Sequence, residues 1–109
     1  MKLYKIFIPK FYNNGELIPI GRIRKITENI REKFSAYSFN PFARLPILGG
    51  VWTNKDSKIY SEPMQLIELF VEDTFNNQKW IKAFKEICRQ ELDQEEIFII
   101  VQDAELIFQ

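Results

Sequence analysis

The sequence predicts an α+β domain with the element order βαββαβ: a four-stranded antiparallel sheet with two helices on one face. Three observations carry that prediction. Stretch 58–73 alternates like a long strand, with Ile67, Leu69 and Val71 on one side and Leu66, Glu68 and Phe70 on the other. Two stretches repeat apolar residues at helical spacing, Ile23, Ile26, Ile30 and Phe34 in the first and Ile81, Phe84, Cys88 and Leu92 in the second. Short apolar runs with period two lie near both ends, at Tyr4, Ile6 and Ile8 and at Ile97, Ile99 and Val101. With 109 residues, 46% of them hydrophobic and 15% aromatic, the chain fits one domain, 1–109, around one core.

The first strand is expected over 2–8, with Leu3, Lys5 and Phe7 on the face opposite Tyr4 and ended by Pro9, which has no N–H to give a ladder. In 9–19, Asn14-Gly15 favours a turn with positive φ, and the segment reads as a small protruding hairpin. The first helix follows over 20–34, its outer face made basic by Arg22, Arg24, Lys25, Arg31 and Lys33. Segment 35–46, SAYSFNPFARLP, contains two prolines and three aromatics and reads as an ordered loop. Val51-Trp52-Thr53 and Ile59-Tyr60 flank the polar run 54–58, which predicts a hairpin there. Gly49-Gly50 then marks a bulge or a close backbone approach beside Trp52. Asp73 or Thr74 caps a second helix over 76–92, in which Trp80 and Ile87 flank the apolar stripe and Cys88 is core rather than nucleophile. The last strand is expected over 96–102, apolar on both faces, and 103–108 as a further extended arm.

Several chemistries are disfavoured. The chain has no histidine, so a histidine-bearing zinc site and a Ser-His or Cys-His pair cannot be assembled from it, and one cysteine cannot form an internal disulfide. Gly15, Gly21, Gly49 and Gly50 lack the spacing of a phosphate loop, and the run from Asn54 places Lys58 where a calcium loop needs its third oxygen ligand. Neither a metal nor another cofactor is expected. Lys5, Pro9 and Lys10 break the N-terminal apolar run, so a cytoplasmic protein without a membrane partner is the expectation. The formal net charge is zero but unevenly spread: residues 1–33 carry eight Lys/Arg against three Asp/Glu, and residues 62–109 four against eleven. Such a two-sided surface can steer a partner or a second copy.

In element order the chain resembles ferredoxin-like domains over nearly its whole length. More narrowly, Gly50-x-Trp52 before the hairpin and Tyr60-x-Glu62 entering the next strand look like short uncharacterised bacterial families of that fold and like dimeric α+β barrel proteins. The resemblance implies two sheets packed face to face, in some relatives around a pocket used by cofactor-independent oxygenases and isomerases. Fold likeness transfers no particular activity.

The informative surface is the sheet face turned from the helices. It should carry Leu3, Lys5, Phe7, Leu66, Glu68, Phe70, Phe98 and Ile100, six of them apolar, where a wet face would alternate to polar residues. The leading expectation is a homo-oligomeric interaction or structural module, a homodimer covering this face about a two-fold axis; the competing cover is the chain's own loops and C-terminal arm. The alternative is a small-molecule binder or cofactor-independent enzyme, with Lys5, Tyr37, Trp52, Tyr60, Glu62 and Glu68 as possible actors. Each also has an ordinary structural role, as aromatic rings with wet tips or charges at a strand edge. RNA binding is third: Phe7 and Phe70 occupy base-stacking positions, but Glu68, Glu72 and Asp73 bring acid to that surface. Within the face, Lys5 and Glu68 are expected to approach each other as its two charges.

Overall fold

Alternation and helical stripes resolve into β1 (Lys2–Pro9), α1 (Ile20–Lys33), β2 (Ser38–Leu48), β3 (Ile59–Val71), α2 (Phe75–Glu91) and β4 (Phe98–Asp103) in a computed structural model. The described residues are 1–34, 36–48, 59–105 and 107. The strands form one antiparallel sheet in the order β2-β3-β1-β4, so β1 and β3 are central and the two helical crossovers share a face. This is the α+β, ferredoxin-like βαββαβ arrangement.

The helix-covered face holds the main core. Tyr4, Ile6 and Ile8 of β1 and Ile67, Leu69 and Val71 of β3 are buried against Ile23, Ile26 and Ile30 of α1 and Ile81, Phe84 and Cys88 of α2, with Leu92 and Ile97 closing the end. Each fully buried aliphatic or aromatic side chain contributes about 1.5 to 3 kcal/mol relative to exposure, and the cluster dominates stability. Trp80 links the helices, stacked on Phe84 at 4.9 Å between centroids and edge-on to Phe34 at 5.0 Å. Burial pushes the Cys88 thiol from its ordinary 9.0 up to about 12, as befits a core side chain rather than a nucleophile.

Local signals explain the element ends. Thr74 caps α2, its Oγ1 accepting a hydrogen bond from the Asn77 N–H at 3.1 Å. Pro19 precedes α1 as its N-cap residue without a side-chain cap. In the connection after β1, Phe11 and Leu17 form an antiparallel bridge, the Gly15 N–H donates to the Tyr12 carbonyl at 2.9 Å, and Gly15 has φ +87. The predicted protruding hairpin is present, and its turn uses the conformation glycine tolerates best.

Two readings need correction. Segment 35–46 is not a loop from end to end, because β2 begins at Ser38 and continues to Leu48 in spite of Pro41 and Pro46. The reason is position: β2 is an outer strand, and Pro41 sits where its register with β3 shifts between Asn40 and Ala43, so the bulge accommodates a residue without an N–H. The hairpin ladder consequently runs from Ser38↔Glu68 to Leu48↔Ile59, so the long strand expected over 58–73 pairs with 38–48. Residues 49–58, with Gly49-Gly50, Trp52 and the expected turn, lie outside the described residues. At the C-terminus, Asp103 ends β4, Ala104 and Glu105 are not in a strand, and the Ala104 N–H donates to the Met1 carbonyl at 3.1 Å. Among the described residues no helix is long and apolar enough to cross a membrane.

Candidate functional site

Residues facing one another across an antiparallel ladder share a sheet face, so the register lays out the open face in rows. Phe70, Leu3 and Gln102 form one row, Ser38, Glu68, Lys5 and Ile100 the next, and Asn40, Leu66, Phe7 and Phe98 the third. Met64 and Pro9 continue the face beyond them. Three polar or charged positions, Ser38, Glu68 and Lys5, thus cross its middle, with Asn40 in the next row; Ser38 and Asn40 come from β2, which the sequence pattern places further along the chain.

Burial is graded along the rows. Phe7 and Met64 are buried at 6% and 5% exposure in a second, small core, with Leu66 and Phe98 packed against them. Leu3, Lys5, Glu68 and Phe70 are half-buried, and Ile100 reaches 41% exposure. One end of the face is therefore closed within a single chain, while the other remains open.

Lys5 and Glu68 stand directly opposite each other on β1 and β3, as the centrality of those strands dictates. Among the described residues they nevertheless form no ion pair, and neither side chain accepts or donates a hydrogen bond. The charges at the ends of the sheet behave differently. Lys2 binds Asp103, which holds that carboxyl below its usual range and raises the lysine, and Lys85 binds Glu96 at 2.7 Å, which lowers the glutamate.

Beside Glu68 the surface sinks into an open groove of about 380 Å³ lined by Leu3, Ala36, Tyr37, Ser38, Glu68 and Phe70. The α1–β2 connection supplies Ala36 and Tyr37, the start of the outer strand β2 supplies Ser38, and the central strands supply Leu3, Glu68 and Phe70. Two aromatic rings, one carboxylate and the hydroxyls of Ser38 and Tyr37 give it apolar walls with hydrogen-bonding capacity. Of the residues proposed from sequence, Lys5, Phe7, Leu66, Glu68, Phe70, Phe98 and Ile100 come together on this face. Tyr60 and Glu62 belong to β3 opposite Ile47 and Leu45, but their side chains, like the whole of Trp52, lie outside the described residues. Ser38 and Ala36 were missed because 35–46 reads as a loop; the alternation after Ser38 was the available signal, obscured by Pro41.

No protein-family model matches the sequence, and no curated protein matches it. Among solved structures the chain is similar to a phage SAM lyase in complex with S-methyl-5'-thioadenosine, with TM-score 0.65 and 16% identity over 94% of this chain and 80% of that one. It is also similar to CutA1 from Oryza sativa, with TM-score 0.58 and 8% identity over 98% of this chain and 82% of that one. At such identities the likeness is one of fold, a small α+β domain.

Proposed function

We propose that this chain is a self-associating module whose open sheet face packs against the same face of a second copy about a two-fold axis. The observation that carries the reading is the middle row of the face. Lys5 and Glu68 lie side by side without an ion pair within the chain, amid Leu3, Leu66, Phe70, Phe98 and the 41% exposed Ile100. With the two-fold axis along the strands between β1 and β3, the Lys5 side of one copy lies over the Glu68 side of the other, so the surface is complementary to itself in charge and apolar in its surroundings. Sedimentation at micromolar concentration tests it: a particle of about twice the 13.1 kDa chain mass is expected, falling to the single-chain mass in Ile100→Glu. A parent that sediments as a monomer rejects the module.

A second reading is favoured by the groove at Tyr37, Glu68 and Phe70 together with the likeness to the SAM lyase solved with S-methyl-5'-thioadenosine. Here the chain binds a nucleoside-sized ligand, or acts on one without a cofactor, its flat ring against Tyr37 or Phe70 and its hydroxyls donating to Glu68. Calorimetric titration with S-methyl-5'-thioadenosine and with SAM tests it. The reading expects saturable binding weakened at least tenfold in Glu68→Leu, and heats no larger than dilution reject it.

A further inference from the structure

The end of the molecule beyond β1 presents large apolar side chains from the small hairpin, the start of α1 and the bulge of β2. Leu17 is 67% exposed, Ile20 68% and Phe42 82%, and Phe11, bridged to Leu17 across the small hairpin, 44%. They are held rather than loosely displayed. The Gly15 turn fixes the hairpin, and the Phe42 N–H donates to Asn40 Oδ1 at 2.9 Å just where β2 bulges, aiming the ring outward. Lys10 joins the two groups, lining an apolar groove with Leu17 and Ile20 while its Nζ sits 4.9 Å from the Phe42 ring centroid.

The surrounding charge is cationic. Between positions 10 and 25 the chain carries Lys10, Arg22, Arg24 and Lys25 against the single acid Glu16. Arg22 and Lys25 are turned to Glu91, which leaves Lys10, held over the Phe42 ring, and the exposed Arg24, four residues along α1 from Ile20, as cations of the patch with no ion pair among the described residues. The first turn of α1 contains no acidic residue, so the positive end of its dipole adds to the same field.

We infer that this end of the molecule adsorbs to the surface of an anionic lipid bilayer. Protruding apolar side chains enter the boundary between headgroups and acyl chains, while Lys10 and Arg24 stay at the level of the phosphates. Surface adsorption needs no spanning segment, so it is compatible with a chain whose apolar runs are too short to cross. Each cation near an anionic surface strengthens adsorption about fivefold, and salt weakens that share.

Co-sedimentation with vesicles tests the inference, using phosphatidylcholine alone and phosphatidylcholine mixed with phosphatidylserine. Binding is expected to the mixed vesicles at low salt and not to the neutral ones. The triple variant Leu17→Ser, Ile20→Ser, Phe42→Ser and the double variant Lys10→Glu, Arg24→Glu should each lose at least tenfold with the thermal midpoint of the parent. If the triple variant unfolds, Phe42→Ser alone serves, with a severalfold loss expected. Absence of binding at low salt, equal binding to neutral vesicles, or unaltered binding by the folded variants overturns the inference. So does a fall in sedimenting mass in Phe42→Ser, which would make the patch a contact between copies.

Discussion

The two faces of one sheet are built from the same strands, yet they differ in composition and in cover. On the helix side, Ile6, Ile8, Ile67 and Leu69 have no exposure at all and belong to one apolar cluster with α1 and α2. On the open side, Phe7 and Met64 are buried at one end, Leu3 and Phe70 are half-buried at the other, and the row of Ser38, Glu68, Lys5 and the 41% exposed Ile100 crosses the middle. Alternation assigns residues to faces; what covers a face decides whether its apolar content becomes stability or a surface for binding. The closed face specifies the fold, whereas the open one carries Lys5 and Glu68, opposed on the two central strands, and the groove beside them.

The largest expected difference between the faces is energetic. Phe84→Ala removes a ring that is 1% exposed and stacked on Trp80, and should cost about 3 to 5 kcal/mol in denaturant unfolding. A cost under about 1 kcal/mol would show that the helix face is not the main core. Cys88, on the same helix, sharpens the point through pH. Its folded pKa of about 12 lies above the ordinary 9.0, so the folded state holds the proton more tightly. The contribution is therefore complete below pH 9.0 and is lost as pH rises from there toward about 12. Alkylation of the native protein near neutral pH should be slow and should track global unfolding; fast labelling without denaturant would place the thiol outside the core.

Phe7→Ala addresses the closed end of the open face. Its 6% exposure within the small cluster with Met64 predicts a loss of about 2 to 3 kcal/mol, smaller than at Phe84 because Leu66 and Phe98 beside it are only half-buried. Measured at a concentration where the chain sediments as a monomer, that loss belongs to the chain itself. Were it seen only in the assembled state, the second copy would be the cover at this end as well.

How much of this could be read from sequence varied with the physics involved. The helical stripes were legible because Ile23, Ile26 and Ile30, and Ile81, Phe84 and Cys88, need only local periodicity, and their burial follows from the amphipathic pattern. The opposition of Lys5 and Glu68 was legible too, since it follows from the element order and from two central strands paired across their middles. β2 was not. Pro41 and Pro46 argue locally for a loop, and only tertiary position, an outer strand with a bulge, makes them acceptable. Missing β2 hid Ser38 and Asn40 from the open face, and with them one wall of the groove. Met64 escaped for a related reason: Pro63 precedes it, and Met64 is the first residue of β3 paired with β1, opposite Pro9.

The smallest expected effect concerns the pair that gives the open face its character. Lys5 and Glu68 are half-buried, directly opposed and not joined by an ion pair within the chain. In the monomer, Lys5→Met and Glu68→Leu should each change stability by less than about 1 kcal/mol, because partly exposed charges keep much of their hydration and no pair is broken. Their coupling in a double-mutant cycle should then lie within about 0.5 kcal/mol of zero. Assembly reverses the arithmetic. Once a second copy excludes water from the middle row, removing one charge leaves its counterpart buried and unpaired, which should weaken association by about 3 to 5 kcal/mol, whereas replacing both should be close to neutral. Stability measured at dilution and association measured by sedimentation on the same four proteins therefore separate the two states. Strong coupling already present in the monomer would mean that Lys5 and Glu68 pair within the chain in solution, and the open face would then lack the charge complementarity on which self-association rests.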